Sequence, residues 1–190
     1  LSKSRFFIAL LPPLAIQSYV NQLKQEFADR YASRGAQRSP PHITLQPPFE
    51  WLVEQVPVLE ECLINFTANR ESVPVMLSGF GAFPPRVIYI NVVKTQVLLT
   101  LQTDLMVYLE ATLGIKLDPV SKNRAFSPHM TVAFRDLTRQ NFRVAWSEFQ
   151  QRHLQFEFTA TELTLLIHDG RRWNVKSNSQ FVITPSATLR

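Results

Sequence analysis

Cysteine is nearly absent: Cys62 is the single one in 190 residues. No intrachain disulfide can form, a reducing compartment is the natural expectation, and a thiolate zinc framework is ruled out. Long apolar runs are missing too, and the opening L-S-K-S-R-F-F-I-A-L-L-P-P has too short an apolar segment and no small-residue cleavage site. The expectation is a soluble, unprocessed, cytoplasmic protein with no membrane partner and no evident obligatory protein partner. No G-x-S-x-G elbow occurs, nor any H-E-x-x-H or H-x₃-H spacing, which argues against a serine nucleophile or a zinc centre. No linker-like stretch divides the chain.

What is present is ordinary globular composition, 45% apolar and 18% charged, enough for a substantial core. A formal charge of +5 favours anionic partners by raising their encounter rates. Arg34 and Arg38 stand just before one histidine motif, and Lys122 and Arg124 just before a second.

The periodicity predicts strands at Phe6–Leu11, His42–Phe49 (interrupted by Pro47-Pro48), Val73–Leu77, Val87–Val93, Ser127–Phe134 and Gln155–Thr159. Helical stripes run over Leu14–Ser33, stopped by Gly35, then from Pro57 to Phe66, over Thr95–Leu113 before Gly114, and over Thr138–Gln150. Glu162–His168 and Arg172–Ile183 read as a hairpin turned at Asp169-Gly170, with a frayed tail after Pro185. The order strand, helix, motif strand, helix, strand occurs twice. The expected fold is therefore α+β and bilobal within one domain, 1–190. Two lobes of antiparallel sheet, related by a pseudo-two-fold axis and falling in halves 1–82 and 83–190, carry outer helices around a central cleft.

The informative repeat is S-P-P-H-I-T-L from Ser39 and S-P-H-M-T-V from Ser127. In a strand, residues i and i+2 share a face, so His42 with Thr44 and His129 with Thr131 each present an imidazole and a hydroxyl together. Two of the four histidines carry threonine at +2, although only thirteen threonines occur in the chain. Chance would give this roughly 3% of the time, so the pair is unlike the solvated face that a lone H-x-T suggests. His153 and His168 lack the pattern. Brought to one cleft from opposite sides, the histidines suit phosphoester cleavage: a neutral imidazole takes a proton from the attacking oxygen, and an imidazolium gives one to the leaving oxygen. Thr44 and Thr131 can donate to the non-bridging oxygens, where charge develops.

Paired motifs of this kind resemble the two-histidine (2H) phosphoesterase superfamily, in its bacterial 2′-5′ RNA ligase-like branch. F-F-I-A-L-L-P-P, P-P-H-I-T-L-Q-P-P-F-E, F-P-P-R-V-I-Y-I and P-H-M-T-V occur in the family's order and span most of the chain. The resemblance implies cleavage or reversible formation of 2′ phosphoester linkages in RNA ends, oligonucleotides or small nucleotides, including 2′,3′-cyclic phosphates, with no metal or organic cofactor. One departure stands out. The basic residue that follows the second motif, Arg135, comes one place later than in the commoner H-x-T-L-A-R pattern. On an ideal strand that turns the side chain to the other face unless a bulge intervenes, and a surface pairing with Asp136 is the alternative role. Arg38 and Arg124 are further candidate phosphate contacts. Phe49, Phe83, Tyr89 and Phe134 are candidates to stack on a base, Tyr89 foremost. The competing functional class is a non-catalytic RNA- or nucleotide-binding module of the same fold, against which the histidine pair argues, since arginine and lysine serve plain phosphate binding better.

Overall fold

A computed structural model describes residues 2–117 and 124–182. Eight strands, β1 (Lys3–Leu10), β2 (Ile43–Leu52), β3 (Val73–Phe83), β4 (Val87–Val92), β5 (His129–Ala133), β6 (Gln155–Ala160), β7 (Glu162–His168) and β8 (Trp173–Gln180), form two four-stranded sheets. Every pairing within them is antiparallel. Among the described residues four longer helices accompany them: α1 (Leu14–Tyr31), α2 (Val56–Thr67), α3 (Gln96–Leu113) and α4 (Arg139–Phe149). The architecture is the bilobal α+β arrangement anticipated from the element order.

The sheets are laid out alike, β2-β1-β7-β8 and β5-β4-β3-β6. In each, the strand that carries or follows the H-x-T histidine lies at an edge, beside the strand that precedes it in the chain. The sequence halves 1–82 and 83–190 do not coincide with the sheets. β3, from the first half, is an interior strand of the second sheet because it pairs with β4 across the short connection at residues 84–86. β7 and β8 return from the far end of the chain to the first sheet.

Local chemistry sets the ends of most elements. Thr95 and Thr138 cap α3 and α4 by accepting from the backbone N–H of Leu98 and Asn141. Gly114 closes α3 in the left-handed conformation that costs glycine least. The end of α1 departs from expectation: Ala32, at φ 53°, makes the left-handed stop, and Gly35 opens a short 3₁₀ turn to Arg38 instead. β2 likewise runs through Pro47-Pro48 rather than being broken there. It is an edge strand, and its register against β1 slips between Phe6–Phe49 and Ile8–Gln46, so the prolines withhold no ladder hydrogen bond that the sheet needs.

α1 and α4 pack together against β5 and β4, while α3 lies between β2 and β3 and α2 covers β7 and β8. Phe6, Phe27, Leu45, Leu77, Ile88 and Phe149 are among the fully buried side chains of the one large core that joins both lobes. No helix among the described residues is long and apolar enough to cross a membrane.

Candidate active site

Between the two motif edges lies a cleft of about 440 Å³ whose lining includes His42, Thr44, His129 and Thr131. All four motif residues meet there. Each histidine is held the same way. His42 Nδ1 lies 2.7 Å from the carbonyl oxygen of Pro40, and His129 Nδ1 lies 2.7 Å from that of Ser127. A carbonyl can only accept, so both Nδ1 atoms carry a proton, and in the neutral rings both Nε2 atoms present a lone pair. A proline, Pro41 or Pro128, stands between acceptor and histidine in each case, and its restricted φ helps turn the carbonyl back toward the ring. The proline in both motifs therefore sets the tautomer of the histidine that follows it.

The two rings are not equivalent. Burial, together with the nearby positive charges of Lys24 and His129, lowers the His42 pKa from 6.5 to about 4 against the opposing hydrogen bond to Pro40. Burial also lowers that of His129, opposed by the bond to Ser127. Phe7 packs on His42 at 4.7 Å between ring centroids, while Phe83 and Tyr89 each pack on His129 at 5.1 Å. Behind His42, the buried Lys24 donates through Nζ to the carbonyl of Ser39 at 2.8 Å, tying α1 to the motif loop. Burial lowers the Lys24 pKa to about 7.

Arg38 and Arg135 also line the cleft. Arg135 reaches it because the pairing of β5 with β4 slips between Thr131 and Ala133, as a bulge at Val132 would require. Arg135 itself then adopts φ 67°, outside the strand, and its guanidinium lies over the Phe134 ring at 5.1 Å. Its anticipated alternative partner, Asp136, is engaged elsewhere: it accepts from the Ser33 hydroxyl and from the backbone N–H groups of Arg34 and Gly35. This carboxylate clamps the Arg38 turn to the end of β5. A Cβ on Gly35 would stand 2.7 Å from the Phe134 carbonyl oxygen, so only glycine fits under the clamp.

The aromatic candidates divide. Phe83 is 41% exposed and lines the cleft, as does Phe134. Tyr89 is not in the lining; it stands opposite Thr131, where its ring covers Gly81 and packs on Phe83 and His129. Phe49 packs on the core residue Phe6, away from the cleft. Arg124 borders a second, more apolar cavity of about 820 Å³ that shares Thr44, Phe83 and His129 with the first and extends along α3. Lys122 and the tail after Pro185 lie outside the described residues. Among the described residues, no group of three or more His, Cys, Asp or Glu is disposed to hold a metal ion.

Sequence reasoning missed one wall of the cleft altogether: Arg5 and Phe7 of β1, His168 of β7 and Trp173 of β8. No local pattern marks these residues. They meet because β1 pairs with β7, and β7 with β8, in registers that set His168 opposite Trp173 and Arg5 one step beyond the Phe6–Ile167 pair.

Two edge strands thus bring matched H-x-T pairs into one cleft between antiparallel lobes. The chain belongs to the 2′-5′ RNA ligase superfamily, whose sequence model matches residues 12–172. A protein of Geobacillus thermodenitrificans named "Putative phosphoesterase" is 28% identical over 174 residues, 90% of this chain and 92% of its own length. A namesake from Geobacillus kaustophilus is equally similar over the same span. Among solved structures, E. coli LigT complexed with 3′-AMP superposes with a TM-score of 0.70 at 20% identity, covering 95% of this chain and 99% of LigT. TT0787 of Thermus thermophilus gives 0.65 at 18% identity, covering 93% and 97%.

Proposed function

We propose that this protein is a metal-independent phosphodiesterase that opens 2′ phosphoester linkages of RNA ends or nucleotides, 2′,3′-cyclic phosphates above all, with 2′-5′ ligation as the same chemistry in reverse. The observation that carries the reading is the pair of matched X-Pro-His units, which leave two basic Nε2 atoms beside two threonine hydroxyls in a single cleft. That E. coli LigT has been crystallised with 3′-AMP, ATP and NADP⁺ supports a nucleotide as the ligand class.

In the hydrolytic direction, water attacks phosphorus while His42 Nε2 takes its proton. The bond from phosphorus to the leaving ribose oxygen breaks, and protonated His129 gives its Nε2 proton to that oxygen. Thr44 and Thr131 donate to the non-bridging oxygens. We assign the base role to His42, whose pKa burial first and then the Lys24 and His129 charges lower to about 4, and the acid role to His129 on the other strand of the cleft. In ligation the roles exchange.

The test is cleavage of a short RNA bearing a 2′,3′-cyclic phosphate, in EDTA, by the intact protein and by His42→Ala and His129→Ala. Each proton transfer of this type contributes ~100- to 10,000-fold, so a loss of that size in both variants is expected. Metal-dependent turnover, or full activity in either variant, would refute the reading.

A further inference from the structure

Beyond the four motif residues, the cleft wall has a chemistry of its own. Its lining holds Arg5, Arg38 and Arg135 and, among the described residues, no aspartate or glutamate. Elsewhere Arg30, Arg70 and Arg152 are matched to Glu148, Asp104 and Glu26, whereas among the described residues none of the three cleft arginines forms an ion pair. Asp136, the nearest carboxylate in sequence to Arg135, is consumed by its clamp. Asp169, beside His168, is turned into its own hairpin, where it accepts from the N–H groups of Arg171 and Arg172 and from the Asn174 amide.

His168 is the third histidine of the cleft, and its tautomer is the reverse of the other two. Arg5 lies 3.0 Å from its Nδ1, and the Gly170 N–H donates to the same atom at 3.1 Å. Both partners can only donate, so Nδ1 must accept and Nε2 carries the hydrogen. His168 is thereby a neutral N–H donor and not a base. Burial and then the Arg5 charge hold its pKa below the ordinary value, with Arg135 and Arg38 adding to the effect and Asp169 opposing it. All three guanidiniums are thus near enough to act on one ring. Trp173 holds the group together: its ring packs against His168 at 4.8 Å and against Phe7 at 4.7 Å, and the Arg5 guanidinium lies over it at 5.8 Å. Phe7 in turn touches His42, so this wall runs from the reacting histidine outward.

Planar guanidiniums with an added N–H donor, and no carboxylate among the described lining residues, match a phosphate better than any other nucleotide group. We propose that Arg5, Arg38, Arg135 and the Nε2–H of His168 form a second phosphate subsite, which takes the 5′ phosphate of the terminal nucleotide while its 2′,3′-cyclic phosphate sits between His42 and His129. The subsite rests on the phosphodiesterase reading of the cleft and deepens it: the substrate carries a further phosphate, as a free 5′ monoester or as the next diester of an RNA strand, and a bare cyclic nucleoside phosphate leaves the subsite empty.

The test has a kinetic arm and a binding arm. In the first, kcat/KM is compared for a nucleoside 2′,3′-cyclic phosphate, the same nucleotide with a 5′ phosphate, and a dinucleotide with a 2′,3′-cyclic end. The intact protein should prefer the substrates with the added phosphate by about tenfold or more, and that ratio should collapse toward one in Arg5→Gln and recover in part in Arg5→Lys. Preference shared by the 5′ monoester and the dinucleotide points to an RNA strand, and preference for the monoester alone to a mononucleotide. In the second arm, calorimetry compares a nucleoside 3′-monophosphate with the 3′,5′-bisphosphate, using the intact protein and Arg5→Gln. Tighter bisphosphate binding that weakens with salt and is lost in Arg5→Gln supports the subsite even if no substrate is turned over, an outcome that would sink the catalytic reading alone. Equal turnover of all three substrates, or equal binding of the two nucleotides by the intact protein, overturns the subsite.

Discussion

Lys24 shows how one residue can serve position and charge together. It is only 2% exposed, yet its Nζ holds the Ser39 carbonyl and so anchors the loop that ends in His42. With its pKa lowered from 10.5 to about 7, the folded chain binds fewer protons here than the unfolded chain between those values. Stability contributed through Lys24 therefore rises as pH climbs through that window. Lys24→Met removes the titration, so the stability difference between variant and parent should shift in the parent's favour by on the order of 2 kcal/mol from pH 7 to pH 9. Urea unfolding at the two pH values measures it, and a constant difference would show that Lys24 is not held in the neutral form. His42, lowered to about 4, acts in the same direction at lower pH: its contribution to stability grows as pH rises from about 4 to 6.5.

At the scale of elements, the Arg38 turn and the end of β5 are fastened to each other by Asp136 and by the close fit of Gly35. Gly35→Ala must push the Phe134 carbonyl away, and Asp136→Ala leaves the hydroxyl and two backbone N–H groups without their acceptor. Each should destabilise by ~1–3 kcal/mol, seen as a lower urea midpoint, and should weaken nucleotide binding through both arginines at once. An unchanged midpoint in both variants would remove the clamp from the account. Elements of this length were legible in the sequence where period and cap agreed, as in α3 between Thr95 and Gly114. They were less so where tertiary position overrode local chemistry: Pro47-Pro48 is harmless because β2 is an edge, and α1 stops at Ala32, in a left-handed conformation that alanine's own propensity does not signal. The H-x-T residues could be read because strand alternation is a local rule. Arg5, His168 and Trp173 could not, since three separate strands bring them together through register alone. Tyr89 and Phe49 stand outside the cleft lining for a related reason: sheet register sets Tyr89 against Phe83 and His129, and Phe49 against Phe6.

At the scale of the whole molecule, the repeated element order suggested two sequence halves, but the strands are exchanged between the lobes. β3 is interior to the second sheet and β7 to the first, so neither half can complete a sheet alone. A fragment of residues 1–82 should lack cooperative unfolding, while the intact chain should unfold in a single transition followed alike by circular dichroism and tryptophan fluorescence. A folded, cooperative 1–82 fragment would contradict that view. The exchange also bears on the cleft, since the lobe that carries His42 is completed by β7 and β8 from the far end of the chain, and one core joins both lobes.

The most direct measurement of the central claim is the pH dependence of kcat/KM for a 2′,3′-cyclic phosphate substrate. With His42 lowered to about 4 and His129 also below 6.5, the profile should be bell-shaped, its acid limb set by His42 and its alkaline limb by His129 below 6.5. The residual activity of His42→Ala should lose the acid limb. A rate that climbs without a maximum from pH 5 to pH 9 would contradict acid–base catalysis by the two histidines.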